Sequence, residues 1–201
     1  MLSFKSLIVV GASVAVAVTA SCGRQELTED SVPAAQPVLD AGSEASTLPT
    51  PFTAEHIRDE WIVGFEVVMR RNGPDGEFLE RWRVVDADLE TVSIEGAVID
   101  ALGKPIGEPQ VGRSGWTELR DHAAFPAERG VRLREHRSTA LGAFDGWLYV
   151  IQDEEGEGVT RYFFADALPG APLQVEAVVG DRVVTVLEQI ERFRPETPDS
   201  G

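Results

Sequence analysis

The sequence predicts an α+β fold: a curved, mostly antiparallel sheet of about eight strands in meander-like order, with two short helices on one side. Between residues 53 and 194, short segments with apolar residues at every second position are separated by turns rich in glycine, proline, asparagine and aspartate. Strands this close in sequence favour hairpins over parallel crossover connections. Two other segments, 53–61 and 114–125, carry apolar residues at helical spacing instead.

The first predicted elements are a helix and a hairpin. In "TAEHIRDEW", Thr53 is a good N-cap, and Ile57 and Trp61 fall on one helical stripe. Residues 62–85 alternate on both sides of "NGPDG", a dense cluster of turn-forming residues, and therefore predict a hairpin.

The rest of the domain contains one more helix and six more strands. The strand "ETVSIEGAVID" leads into a connection rich in glycine and proline at residues 103–115. "SGWTELRDHAAF" then predicts a helix with Ser114 as its N-cap and Pro126 at its end. Gly180 and Asp181 form a two-residue hairpin signal before the last strand. The five strands after the second helix are "VRLREHRS", "WLYVIQ", "TRYFFA", "PLQVEAVV" and "RVVTVLEQIERF".

Aromatic side chains are concentrated in the predicted strands, and two interpretations are open. The rings could form the core beneath the helices. Alternatively, a curved sheet with few helices leaves its concave side unfilled, and the rings would then line an apolar groove for a lipid or an acylated partner. The candidate groove residues are Phe65, Trp82, Trp147, Tyr149, Phe163 and Phe164.

The N-terminal 21 residues have the layout of a secretory signal peptide. Lys5 precedes an apolar stretch from residue 7 to 18, and small residues follow at 19–21. Small residues immediately before Cys22 resemble the lipobox of bacterial lipoproteins, although that family usually has an aliphatic residue at the position of Thr19. The resemblance implies cleavage before Cys22, lipidation of that residue and a membrane anchor, and Gly23 after it implies the outer membrane. An ordinary secretory signal is the alternative.

Residues 22–52 predict a disordered tether. After the cysteine they contain five acidic residues, four prolines and few large apolar side chains, with no aromatic residue before Phe52. Such a composition cannot bury enough apolar surface to offset the entropy of ordering. We therefore expect a single domain at residues 53–194, followed by a disordered tail at 195–201.

The composition excludes some classes of partner. A formal net charge of −16 disfavours nucleic acid, because binding there depends on lysine and arginine at the phosphates. It also disfavours tight contact with anionic lipid headgroups.

The residues that carry catalysis or bind metals are not grouped in the sequence. His56, His122 and His136 lie in three separate predicted elements, without the spacing of a metal site. The domain from residue 53 contains no cysteine, and none of its serines falls on a sharp exposed turn. We therefore expect no enzyme activity, no metal and no cofactor. A hydrolase that uses two carboxylates is the alternative.

The C-terminal half resembles a pattern found in uncharacterised bacterial envelope proteins. A Gly-x-Phe turn leads into a strand that ends in tyrosine, and a Thr-x-aromatic strand, Pro-Gly-x-Pro and a closing hairpin follow. "WTELRDHAAFPA" resembles a helix that precedes this pattern. One departure is Gly146, where several members have cysteine. The matching residues are Gly142, Phe144, Tyr149, Thr160, Tyr162, Phe163, Phe164, Ala165, Pro169, Gly170 and Pro172.

The predicted sheet is also similar in outline to the half-barrels of the carrier and acceptor of bacterial lipoprotein sorting, which hold acyl chains. The sequence and these resemblances together predict a non-catalytic envelope lipoprotein. Its sheet domain would bind a partner protein or an apolar ligand such as a lipid or acyl chain.

Overall fold

A computed structural model describes residues 46–154 and 156–196. The predicted signal peptide, Cys22 and most of the predicted tether lie outside the described residues, as do residues 197–201. Within the described part of the chain, no helix is both long enough and apolar enough to cross a membrane.

The described residues form one antiparallel sheet of nine strands. Its spatial order is β4-β3-β2-β1-β9-β8-β7-β6-β5, so two meanders meet where the first strand pairs with the last. β4 and β5 lie at the two ends of the sheet, which is therefore open. The strands are β1 Glu66–Gly73, β2 Gly76–Ala87, β3 Thr91–Ile99, β4 Gln110–Gly115, β5 Gly130–Thr139, β6 Gly142–Gln152, β7 Gly158–Ala165, β8 Gln174–Val179 and β9 Arg182–Phe193.

The antiparallel sheet is confirmed, but it has nine strands where the sequence predicts about eight. The additional strand is β4, which falls within the segment interpreted as a connection. It pairs with β3 in a regular register that includes Val92 opposite Ser114. Three of the six β4 residues are exposed and two others are glycines, so its sequence lacks the alternation of a half-buried strand. Pairing with β3, rather than local preference, makes it a strand.

The structure contains two short α-helices, α1 at Ala54–Glu60 and α2 at Trp116–Asp121. The predicted cap of α1 is confirmed, because the backbone N–H of His56 donates to Thr53 Oγ1 at 3.1 Å. Ser114 does not cap α2. Its hydroxyl donates to the carboxylate of Glu118 at 2.9 Å, and Gly115 occupies the N-cap position.

Both helices pack on one face of the sheet, which we call the covered face, and the other is the open face. Ile57 and Trp61 from α1 and Trp116 from α2 are buried there. Burial of this apolar stripe stabilises helices that are too short to persist alone. The buried residues beneath them, on the strands or just before β1, are Phe65, Val67, Met69, Trp82, Val84, Val92, Ile94, Tyr149 and Phe164.

The packed domain begins before residue 53, where the sequence predicts its start. Thr47 forms an antiparallel bridge with Pro126, and the hydroxyl of Tyr149 donates to the carbonyl oxygen of Pro49 at 2.6 Å. Phe52 is buried in the core of the covered face. The last residues of the predicted tether therefore belong to the domain.

The turn between β7 and β8 follows the Pro-Gly-x-Pro pattern, and buried side chains hold its carbonyl groups. Trp61 Nε1 donates to the carbonyl oxygen of Pro169 at 3.1 Å. Gln189, which is fully buried, donates to the carbonyl oxygens of Ala171 and Pro172 at 3.1 and 3.0 Å. These bonds satisfy acceptors in a turn where proline has no N–H to offer.

Candidate functional site

The six aromatic residues predicted for an apolar groove lie on both faces of the sheet. Five are buried, and of these Phe163 faces the open side while the others face the helices. They therefore form core, the first of the two interpretations drawn from sequence, and do not together line an open groove. The four on the covered face are Phe65, Trp82, Tyr149 and Phe164.

The sixth ring, Trp147, is half-buried on the covered face, where arginines contact it. The guanidinium carbon of Arg132 lies 3.4 Å from the centre of the ring, and that of Arg134 lies 4.7 Å away. Arg134 is held in turn by both carboxylate oxygens of Asp166, at 2.9 and 2.7 Å. Asp166 raises the pKa of Arg134 through these hydrogen bonds. Trp147 is therefore part of a cation–π and ion-pair cluster.

The open face has a small core of its own, covered by the turn between β5 and β6. Leu148, Phe163 and Leu173 are buried there, with Leu141 from the turn packed against them. At the same turn, the backbone N–H of Ala140 donates to Glu188 Oε1 on β9 at 2.9 Å. β9 is three strands away from β6, so this bond requires a strongly coiled sheet.

A cleft of about 400 Å³ lies on the open face beside this turn and along the junction of β1 and β9. Two directly opposed cross-strand pairs form its floor and rim, Val68 with Glu191 and Glu66 with Phe193. Val68 is only 5% exposed, whereas Phe193 is 61% exposed. The lining residues are Glu66, Val68, Leu141, Glu191, Arg192 and Phe193.

The carboxylates of the cleft differ in their surroundings. Glu66 Oε2 lies 3.9 Å from the Nε of Arg81, whose guanidinium also reaches Glu95 and the carbonyl oxygen of Gly103. Glu191 is exposed, and its side-chain carboxylate has no hydrogen bond or ion pair with any of the described residues. The cleft therefore combines an apolar floor, an exposed aromatic ring and a carboxylate that is open to an external cation.

Arg192 separates the cleft from the covered face. Its side chain, 8% exposed, points away from the cleft and donates to Glu60 Oε1 at 3.0 Å and to the carbonyl oxygen of Pro169 at 2.9 Å. It also lies over the ring of Phe65, 4.8 Å from its centre. Burial lowers the pKa of Arg192, and the hydrogen bond and charge of Glu60 oppose that effect. The floor of the cleft is thus fixed to α1 from behind.

The histidine–aspartate pair of the domain and the aspartate with a shifted pKa do not line this cleft. His136 Nδ1 lies 2.9 Å from Asp145 Oδ1, and both side chains are exposed at the β5–β6 end of the sheet. Backbone N–H groups of Glu90 and Thr91 lower the pKa of Asp88, which closes the β2–β3 turn. Among the described residues, no group of three or more histidine, cysteine, aspartate or glutamate side chains is placed to hold a metal ion.

Sequence reasoning missed the cleft because its residues come from three distant parts of the chain. Leu141 lies in a turn, Val68 in the first strand and Phe193 in the last. A β-bulge in β9, between the partners of Val68 and Met69, sets which of its residues face the cleft. In "IERF", the two-residue spacing of a strand places Glu191 and Phe193 on the same face of the sheet, but it does not show whether that face is the covered or the open one.

No protein-family model and no curated protein matches the chain. The chain is similar to the crystal structure of a putative lipoprotein from Parabacteroides distasonis ATCC 8503. The two share 8% sequence identity with a TM-score of 0.44, and the alignment covers 75% of this chain and 100% of the other.

Proposed function

We propose that this chain is a non-catalytic envelope lipoprotein whose domain binds a partner protein at the cleft on the open face. The observation that carries the proposal is the exposed ring of Phe193 beside the nearly buried side chain of Val68. An exposed aromatic at an apolar depression is a frequent feature of protein interfaces.

The geometry favours a partner protein over an acyl chain. The cleft falls within the usual range of binding-site volumes, about 300–1,000 Å³, but it lies open between strands and has carboxylates at its rim. The apolar cluster on the open face is filled by its own side chains, since Phe163 and Leu173 are fully buried. An acyl chain would have to displace them.

The membrane anchor is proposed on sequence grounds, from the signal-like N-terminus and Cys22. Intact mass spectrometry of the membrane-extracted protein tests it, with a Cys22→Ala variant as control. We expect a mass that corresponds to loss of residues 1–21 plus acyl groups, and we expect these groups to be absent from the variant. An unmodified mass in the soluble fraction would overturn the lipoprotein assignment.

A photo-crosslinking amino acid tests the binding surface in intact cells. We would place benzoylphenylalanine at Phe193 and, as the matched control, at Leu89, which is 81% exposed on the β2–β3 turn. The proposal predicts a discrete protein adduct at position 193 and none at position 89. Adducts to lipid at position 193 would mean that the cleft binds an apolar ligand and not a partner protein. Equal, diffuse crosslinking at both positions would contradict a specific site.

A further inference from the structure

We infer that the cleft receives an arginine side chain from the partner protein, with its methylenes on the apolar floor and its guanidinium at Glu191. This inference rests on the proposed function and adds the chemistry of the residue that is recognised. It is carried by the cleft itself, in which an apolar floor and an aromatic ring lie beside a carboxylate that has no ionic partner among the described residues.

The apolar floor suits the stem of a long basic side chain. Val68 and Leu141 supply aliphatic surface at the bottom and on one side of the cleft. Arginine buries its methylenes along such surfaces while its charged end stays near water. A purely apolar anchor would instead place its end against the carboxylates at the rim, where desolvation is costly.

The rim suits a guanidinium group. Glu191 lies directly opposite Val68 across the β1–β9 pair, and Glu66 lies diagonally from Glu191, at a Cα–Cα separation of roughly 7–8 Å in this geometry. The exposed ring of Phe193 lies next to Glu191 on the same face. A planar guanidinium can accept a carboxylate at its edge and an aromatic ring at its face, which an ammonium group does less well.

The neighbouring arginines make Glu191, rather than Glu66, the recognition group. Glu66 faces Arg83 across the β1–β2 pair and has Arg81 nearby, so its charge is already partly compensated. Arg70, the next cation along β1, is bound to Glu188 at 3.1 Å. The net charge of −16 adds a long-range attraction for a basic partner.

The test uses a short blocked peptide that contains one arginine among glycines and serines. Its matched control replaces arginine by citrulline, which has almost the same shape and no charge. Binding is followed on the mature protein by the backbone amide chemical shifts of Val68, Leu141 and Phe193. Glu191→Gln is compared with Glu77→Gln, an exposed carboxylate on the open face at the far end of the β1–β2 hairpin.

We expect saturable shifts at the cleft with the arginine peptide and much smaller ones with citrulline. Glu191→Gln should weaken binding about fivefold, and Glu77→Gln should leave it unchanged. Equal responses to the two peptides, or shifts that map away from the cleft, would overturn the inference. If the protein crosslinked at position 193 were captured equally well by the Glu191→Gln variant, the inference of a bound arginine would be wrong, and the proposed function would still stand.

Discussion

The indole nitrogen of Trp61 lies directly over Gly170, so that a Cβ atom on this glycine would be 2.2 Å from Trp61 Nε1. The backbone there has a φ of +116°, which L side chains rarely adopt. Glycine is thus required at position 170 for two reasons. The turn needs its positive φ, and Trp61 at the end of α1 leaves no room for a side chain.

We expect Gly170→Ala to lower the free energy of unfolding by about 3 kcal/mol, because steric overlap adds to backbone strain. Gly76 is the matched control, since its φ is +108° and no atom lies within 4 Å of the position of a Cβ. Gly76→Ala should cost about 1 kcal/mol, from strain alone. Urea unfolding followed by tryptophan fluorescence gives both values. Equal losses would show that contact with Trp61 is unimportant.

At Gly146 the structure has no room for a side chain. A Cβ at this position would lie 2.1 Å from the carbonyl oxygen of Phe164 on the neighbouring strand. We expect Gly146→Ala and Gly146→Cys each to cost about 3 kcal/mol, because the β6–β7 pair must separate. Gly73→Ala, which makes only ordinary contacts with Thr185, should stay within about 0.5 kcal/mol of the native protein. Thermal unfolding would contradict this account if Gly146→Cys were as stable as Gly73→Ala.

Two arginines bind the same carboxylate, Glu60, from different depths. Arg192 is 8% exposed, whereas Arg194, with its Nε 3.5 Å from Glu60 Oε2, is 49% exposed. Arg192→Met should cost about 2 kcal/mol, because it removes the buried donor shared by Glu60 and the carbonyl oxygen of Pro169, which keep only Arg194 and Trp61. Arg194→Met should cost less than about 1 kcal/mol. Chemical denaturation of the two variants gives their free energies of unfolding. A larger loss of stability for Arg194→Met than for Arg192→Met would refute this prediction.

The two tyrosines of the chain give a test at alkaline pH. Burial raises the pKa of Tyr149 to about 12 and also raises the pKa of Tyr162 above its ordinary value of 10. The folded state therefore retains these protons where the unfolded chain loses them. The resulting stability is complete below pH 10 and is lost as the pH rises toward 12.

Absorbance at the tyrosinate band should consequently show little ionisation of the tyrosines near pH 10 in the folded protein. In urea, the same band should show a titration with its midpoint near pH 10. Tyr149→Phe should reduce the alkaline loss of stability. It should also cost about 1 kcal/mol at neutral pH, because the hydrogen bond to Pro49 is removed. Ionisation of both tyrosines near pH 10 in the folded protein would argue against their burial.

Much of the sheet could be predicted because its signals are local. The Thr53 cap and the turn at Gly180 each depend on residues a few positions apart, and both are present. β4 and the packing of Phe52 depend on partners far along the chain, and a local pattern cannot show them. The same limit applies to the site, since alternation shows that Glu191 and Phe193 share a face but not that Leu141 lies across from them.

The pairing of β1 with β9 has a consequence for how the domain is made. A ribosome releases β1 more than a hundred residues before β9, and until then the inner edge of β1 has no partner. The two halves can form their own hairpins early, but the seam between them closes only after the last strand emerges. Closure over so long a loop is slow. A truncation that removes only β9 should therefore leave two incomplete sheets with unprotected edges, and such a fragment should aggregate during synthesis.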